Sequence, residues 1–375
     1  MDEFVSRVAH RIGKNLRSAK RSFDRSIGKT ERPHIVPYRG YGNAAQALIM
    51  GRALRDPGLT EAAPTDNWLK NLVNSYKRIE TDELPGARVR AYWGAIAQEI
   101  DADDEGFFRA TLPFSTPPAP DSGHWHNVRL ELVEPHVVDG PQPTATAQIV
   151  VPPVDAQFGI ISDLDDTVIQ TGATDILRMV QATLLGNART RVPFPGVAAF
   201  YAALQQGATG TAFNPIFYVS SSPWNLYDVI EQFLALQRIP MGPTLLRDWG
   251  MSIERLPIGH AAHKNASIRH ILDTYPLLRF ILIGDSGQQD PEIYRTIVRE
   301  YPARIAATYI REVAPRPARS EKLRRVIQEV QEAGSTMTIA ADTLAVARHA
   351  AEAGWISADA LTDIAAEKQK DLQNG

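Results

Sequence analysis

Apolar and polar positions along the chain change rhythm as one reads from the amino terminus. In residues 1–32, Phe4, Val8, Ile12, Leu16, Ala19, Phe23 and Ile27 recur every three or four positions, the spacing of one face of an α-helix, with lysines and arginines on the other faces. A basic amphipathic helix is expected there. From 33 to 152 the apolar positions contract into short β-branched and aromatic runs separated by turn clusters, and Ala87–Ala95, Gly106–Leu112, Val128–Val133 and Thr146–Val151 are expected strands. Together they predict a small antiparallel β-sandwich domain. From 153 to 313 the apolar runs Phe158–Ile161, Ile216–Val219, Phe280–Ile283 and Ile305–Tyr309 are short and unbroken, as strands buried on both faces are, and helical patterns lie between them. The expected fold class is α/β, with a doubly wound Rossmannoid core preceded by the sandwich and followed by C-terminal helices. Residues 314–375 make up that helical extension. Ser320 reads as the N-cap of a helix that buries Leu323, Val326, Ile327 and Val330, and two further helices fall near Thr343–Ala353 and Ala358–Lys370.

Length agrees with this division, since 375 residues exceed the roughly 150 of an average domain. Hydrophobic residues make up 44% and charged residues 22%, an ordinary globular balance, and no uncharged apolar run is long enough to span a bilayer. The chain contains no cysteine, which excludes disulfide staples, thiolate zinc sites, iron–sulfur ligation and catalysis by a cysteine nucleophile. No leader with a positive, apolar and small-residue order opens the sequence, so a cytoplasmic protein is expected. Charge is distributed unevenly: residues 1–32 hold nine Lys/Arg against four acids, a balance of +5 in a chain whose net charge is −3. A helix of this kind can lie peripherally on an anionic membrane, bind nucleic acid, or dock on its own protein with its bases solvated. Of these, nucleic acid is not expected as a partner.

The candidate chemistry stands at strand ends. Gly159-Ile160-Ile161-Ser162 delivers Asp163-Leu164-Asp165-Asp166-Thr167 at its carboxyl end, where open α/β sheets bind ligands. Two carboxylates at i and i+2 can divide labour as nucleophile and proton carrier; they can also simply cap the next helix. Ser220-Ser221-Ser222-Pro223 follows the strand at Phe217-Tyr218-Val219; a hydroxyl and a backbone N–H there could hold two phosphate oxygens, and Ser-Pro after a strand is by itself ordinary turn chemistry. Lys264 opens a helical pattern where a cation could neutralise a phosphoryl group and a nearby carboxylate, or could simply be solvated. His260 and His263 read as packing or surface histidines, since no partner stands at metal-ligand spacing. Phe280–Ile283 runs into Gly284-Asp285-Ser286-Gly287-Gln288-Gln289-Asp290, two acids five apart that suit a hard, oxygen-seeking cation such as Mg²⁺. In the β region, Asp103-Asp104-Glu105-Gly106-Phe107-Phe108 resembles hairpins of transthyretin-like sandwiches; its acids could form a calcium loop or a solvated turn.

The order of these motifs resembles the haloacid-dehalogenase superfamily, with its D-x-D-x-T, Ser/Thr, Lys and G-D-x-x-x-x-D. Asp163–Thr167, Tyr218–Trp224, His263-Lys264 and Ile283–Glu292 are more closely similar to the actin-patch-protein class of phosphatidate phosphatases. Tyr38–Gly42 adds a weaker likeness. The resemblance implies a Mg²⁺-dependent phosphomonoester hydrolase acting on phosphatidate. It makes Asp163 the nucleophile that forms an aspartyl-phosphate and Asp165 the acid that protonates the leaving alkoxide and then activates water. Ser220 and Lys264 would clamp the phosphoryl group, with Leu164, Asp166, Thr167 and Ser221 also around the phosphate. Asp163, Asp285 and the backbone carbonyl of Asp165 would hold Mg²⁺, with Asp290 behind them or bound through water. The interval Val168–Pro215 has 48 residues, little for a large cap domain, so an open site for a lipid head group is expected. Trp224 could sit at a lipid-facing rim or in the core. A soluble phosphatase for another phosphomonoester, or a scaffold that binds lipid or phosphate without turnover, are the alternative functions.

Overall fold

The computed structural model describes residues 32–56, 82–119, 123–138, 140–165, 167–168, 194–247, 260–313 and 317–374. The expected amphipathic helix therefore lies outside the described residues, except that Arg32 opens the first strand.

Eight strands of the amino-terminal part form one mixed sheet. They are β1 (Arg32–Gly42), β2 (Gln46–Asp56), β3 (Asp82–Glu83), β4 (Arg88–Trp93), β5 (Ile96–Asp101), β6 (Phe107–Pro113), β7 (Trp125–Glu134) and β8 (Thr144–Val150), ordered β3-β2-β1-β8-β7-β4-β5 with β6 also on β2. All neighbours are antiparallel except β1 and β8. Alternation decides which side is buried. In β7, His126, Val128, Leu130 and Leu132 point inward while Asn127 and Arg129 face solvent, and β4 and β8 contribute Val89, Ala91, Ala147 and Ile149 to the same apolar cluster. Phe108 and Leu112 of β6 and Ile49 of β2 complete it, so the sheet curls around its own core. The run expected as one strand over Ala87–Ala95 is in fact β4 and the turn to β5, because Gly94 takes φ +54° and reverses the chain. The acidic segment before Phe107 is a turn: Asp103 Oδ1 accepts the Glu105 and Phe107 amides at 2.9 and 3.0 Å, satisfying its own backbone.

The second sheet is parallel throughout. β9 (Gly159–Ser162), β10 (Ile216–Pro223), β11 (Thr244–Arg247), β12 (Phe280–Asp285), β13 (Ile305–Arg311) and β14 (Met337–Ala340) stand in the order β11-β10-β9-β12-β13-β14. Among the described residues seven helices accompany it: α1 (Val197–Gln206), α2 (Tyr227–Leu236), α3 (His260–Thr274), α4 (Asp290–Glu300), α5 (Pro317–Glu332), α6 (Thr343–Glu352) and α7 (Ala360–Asn374). Strands β9 and β12 are buried at every position, and so their sequences lack alternation. The chain moves outward from β9 through β10 and β11, then returns to its other side for β12, β13 and β14. The order thus reverses at β9, and the candidate motifs stand at the carboxyl ends of β9, β10 and β12, where open α/β sheets bind their ligands.

Two details of the carboxyl-terminal region differ from expectation. Helix α5 starts at Pro317 rather than at Ser320, since proline's fixed φ and missing N–H suit a first helical turn. Met337–Ala340, which the pattern did not mark as a strand, pairs in parallel with β13 and extends the sheet.

Candidate active site

Asp163 directly follows β9, and its amide donates to Ile283 O of β12 at 2.9 Å, so the sheet itself fixes where the carboxylate stands. The side chain is buried. Lys264, in the first half of α3, reaches in from another element: its Nζ lies 2.8 Å from Asp163 Oδ1 and 2.6 Å from Asp290 Oδ1, with all three side chains shut away from solvent. Asp290 is the first residue of α4, and its other oxygen accepts the Asp285 amide at 3.2 Å. Gly284 makes this approach possible, because a Cβ there would stand 2.5 Å from Asp290 Oδ2. Asp285 ends β12 and turns Oδ1 onto the amides of Gly287 and Gln288, at 2.6 and 2.9 Å.

These contacts leave specific atoms over. Asp163 Oδ2 and Asp285 Oδ2 are buried and, among the described residues, have no hydrogen-bond partner. Asp163, Asp285 and Asp290 each present an oxygen within 4.8 Å of the other two. An unpaired buried carboxylate oxygen is costly, whereas a hard cation between two of them satisfies both. The donor set therefore fits Mg²⁺ through Asp163 and Asp285. Asp290 accepts from Lys264 through one oxygen and from the Asp285 amide through the other, and it stands in the same carboxylate group as Asp163 and Asp285.

Electrostatics follow from this crowding. Burial pushes the Asp163 carboxyl well above its ordinary range, against the pull of Lys264, and burial beside Asp290 raises Asp285 to about 7. For Lys264, burial alone would lower the pKa, but Asp163 and Asp290 outweigh it and the ammonium is held more firmly than usual. One ammonium faces an excess of carboxylates, a balance that a divalent cation corrects.

Asp165 is partly buried and hydrogen-bonded to both serines of β10 that face it. Ser220 Oγ donates to Asp165 Oδ2 at 2.8 Å and Ser222 Oγ at 3.3 Å, while the Ser222 amide donates to Ser220 Oγ at 2.9 Å. Two residues apart on an extended strand, the serines share a side, which is why both reach the same carboxylate. Burial raises the Asp165 pKa, and the two hydroxyls oppose the shift. Its backbone carbonyl accepts from Gln288 Nε2 at 3.4 Å.

The remaining residues singled out by sequence fall as follows. Leu164 is packed in the core, so only its backbone is available to a ligand. Thr167 Oγ1 is buried and, among the described residues, has no hydrogen-bond partner. Ser221 is nearly buried between the two serines that bind Asp165. Asp166 lies outside the described residues, as does 169–193, the part of the inter-motif interval on which the openness of the site depends. Trp224 is half-buried and stacks on Tyr38 with ring centroids 4.5 Å apart and planes 12° apart, placing it between the two sheets rather than at a free rim. Two partners of Asp165 go beyond the residues assigned to the site: Ser222 could have been found from its i+2 relation to Ser220, whereas Gln288 carries no local signal. His263 is half-buried, and its pKa is lowered to about 4 chiefly by burial.

Residues 158–312 match the family model described as phosphatidate phosphatase APP1, catalytic domain. Phosphatidate phosphatase APP1 of Saccharomyces cerevisiae is 34% identical over 156 residues, 41% of this chain and 26% of that protein. An uncharacterized protein of Schizosaccharomyces pombe is 30% identical over 159 residues, 42% of this chain and 25% of that protein. The chain thus matches about a quarter of the length of these relatives. Among solved structures, a carbohydrate acetylesterase from Xanthomonas citri aligns over 80% of this chain and 66% of its own, with a TM-score of 0.30 and 9% identity, too distant to carry an argument. The likeness to the actin-patch-protein class drawn from the motifs is borne out over the segment that holds every residue of the site.

Proposed function

We propose that the chain is a Mg²⁺-dependent phosphatidate phosphatase that releases diacylglycerol and phosphate, built on a haloacid-dehalogenase-like core with a β-sandwich ahead of it. The observation that carries this reading is the pair of buried, donor-free oxygens on Asp163 and Asp285 beside Lys264, inside the segment similar to the phosphatidate phosphatase catalytic domain. A parallel sheet whose order reverses at β9 supports the core assignment, and the curled, mostly antiparallel sheet supports the sandwich.

In this reading the Asp163 carboxylate attacks phosphorus while Asp165, whose pKa burial raises, gives its proton to the alkoxide as the P–O bond to glycerol breaks. The products of that half are diacylglycerol and phosphorylated Asp163. Asp165 then takes a proton from water, which attacks phosphorus and frees phosphate and Asp163. Lys264 faces the nucleophile and neutralises phosphoryl oxygens as charge gathers on them. Ser220 and Ser222 fix Asp165 through one oxygen and leave the other to carry the proton. Asp163 and Asp285 would hold Mg²⁺, which when bound offsets the negative charge of carboxylates and phosphate together.

The basic stretch 1–32 is assigned to an anionic membrane surface, where phosphatidate itself is found, and a peripheral protein is the corresponding expectation. Phosphate release from short-chain phosphatidate, p-nitrophenyl phosphate and a panel of soluble phosphate esters, with Mg²⁺ and with EDTA, tests the reading. Turnover of phosphatidate in Mg²⁺ is expected. Turnover confined to soluble metabolites would reassign the substrate, and binding without release would make the chain a scaffold.

A further inference from the structure

The strands of the first sheet do more than sit beside the site. Ser222 is followed by Pro223 and by a single 3₁₀ turn, Trp224–Leu226, that leads into α2. Two residues of the first sheet grip this turn. Tyr38 of β1 stacks on Trp224 and also lies 4.4 Å from the Tyr227 ring, with Phe107 of β6 closing the aromatic group 6.2 Å from Trp224. Arg52 of β2 donates from Nη1 to Asn225 Oδ1 at 2.7 Å. Its guanidinium is itself pinned: Nε donates to Glu105 O at 2.9 Å, Glu83 stands 3.6 Å away, and the group lies 4.3 Å from the Phe107 ring centroid. Arg52 is only 8% exposed, an arginine locked in place from several directions rather than a surface cation.

We propose that Arg52 and Tyr38 are positioning residues for turnover. By fixing Asn225 and Trp224 they hold the end of β10, and through it the Ser220 and Ser222 hydroxyls, on Asp165. Between Asn225 and Ser222 the chain has one residue of fixed φ, Pro223, and a stacked Trp224, so little slack separates the grip from the hydroxyls. A misplacement of about 1 Å in a proton-transfer constellation can cost roughly a hundredfold in rate. The consequence is that the first sheet belongs to the catalytic unit. The proposal rests on the phosphatase reading for its kinetic part, and on the contacts alone for its structural part.

The test uses the full-length protein and its Arg52→Ala, Arg52→Lys, Asn225→Ala, double Arg52→Ala/Asn225→Ala and Tyr41→Phe variants. Tyr41 lies in the same interface, its hydroxyl 2.6 Å from His270 Nδ1, but does not touch the turn. Two readouts are taken: kcat and KM on p-nitrophenyl phosphate with Mg²⁺, and amide hydrogen exchange across residues 216–226. Arg52→Ala should lower kcat roughly tenfold with KM little changed, Arg52→Lys should recover part of it, and the double variant should be no worse than the worse single. Exchange should rise at 220–226 and stay unchanged at 280–285. Tyr41→Phe should move neither readout. Unchanged exchange at 220–226 in both Arg52→Ala and Asn225→Ala would overturn the proposal, as would a kcat loss no larger than that of Tyr41→Phe. If the wild type releases no phosphate, the phosphatase reading fails and the exchange pattern alone decides whether Arg52 holds the turn.

Discussion

Lys264 Nζ lies 2.8 Å from Oδ1 of Asp163, and the two side chains are 3% and 0% exposed, an ion pair with almost no water to screen it. Breaking such a pair by removing one member leaves an uncompensated charge. Lys264→Met should therefore destabilise the protein by about 3 to 5 kcal/mol, because Asp163 and Asp290 both lose their counter-charge. Urea denaturation measures this, and a loss under about 1 kcal/mol would mean the carboxylates neutralise one another by protonation instead.

Mg²⁺ should stabilise the folded protein without any substrate present. Saturation at a hundred times its dissociation constant contributes about 2.7 kcal/mol by mass action, and Asp285→Asn should remove most of that gain by taking away one of the two donor-free oxygens. Thermal unfolding with and without Mg²⁺ reads the effect, and EDTA should silence turnover. Equal metal-induced shifts in wild type and Asp285→Asn would place the cation elsewhere.

The backbone framework was legible in sequence wherever burial is two-sided. β9 and β12 are unbroken apolar runs ending in Asp163 and Asp285, so periodicity and chemistry coincide at one point. Strands β1 and β2 were not legible, because each packs one face on the first sheet's core and the other on the second sheet: Ile35 and Ile49 belong to one cluster, Tyr38 and Met50 to the other. Prolines at 33 and 37 further obscured β1. In the site, the acids and Lys264 announced themselves by position. Ser222, Gln288 and Arg52 did not, since what they do depends on a partner 57, 123 or 173 residues away.

Acid should weaken the fold partly through His263. Burial lowers its pKa to about 4 in the folded protein, against about 6.5 when unfolded, so between those values only the unfolded chain takes up the proton. The histidine's contribution is complete above about pH 6.5 and is lost as pH falls toward 4, to a limit of about 3 kcal/mol. His263→Gln should thus show a shallower drop in stability between pH 7 and pH 4.5 than the wild type. Parallel curves would show that this histidine charges freely in the fold.

For the basic stretch, a variant lacking residues 1–31 should lose binding to anionic vesicles and activity on vesicle-borne phosphatidate, yet keep its rate on a soluble ester. Each base near an anionic surface contributes about 1 kcal/mol, and added salt should weaken vesicle binding of the full chain. Co-sedimentation at two salt concentrations checks this. Equal sedimentation of both proteins would remove the membrane assignment, and a joint fall of both activities with lowered thermal stability would mean the helix docks on the protein.

Asp163 is the residue on which the proposed chemistry turns, because its buried carboxylate stands beside Lys264 at the end of β9. The most direct measurement is phosphate release from short-chain phosphatidate in Mg²⁺ by wild type, Asp163→Asn and Asp165→Asn, each verified as folded. Turnover should vanish in Asp163→Asn and fall by about 10²- to 10⁴-fold in Asp165→Asn, as loss of a nucleophile and of a general acid require. Retention of more than about a tenth of wild-type activity by folded Asp163→Asn would contradict the nucleophile assignment.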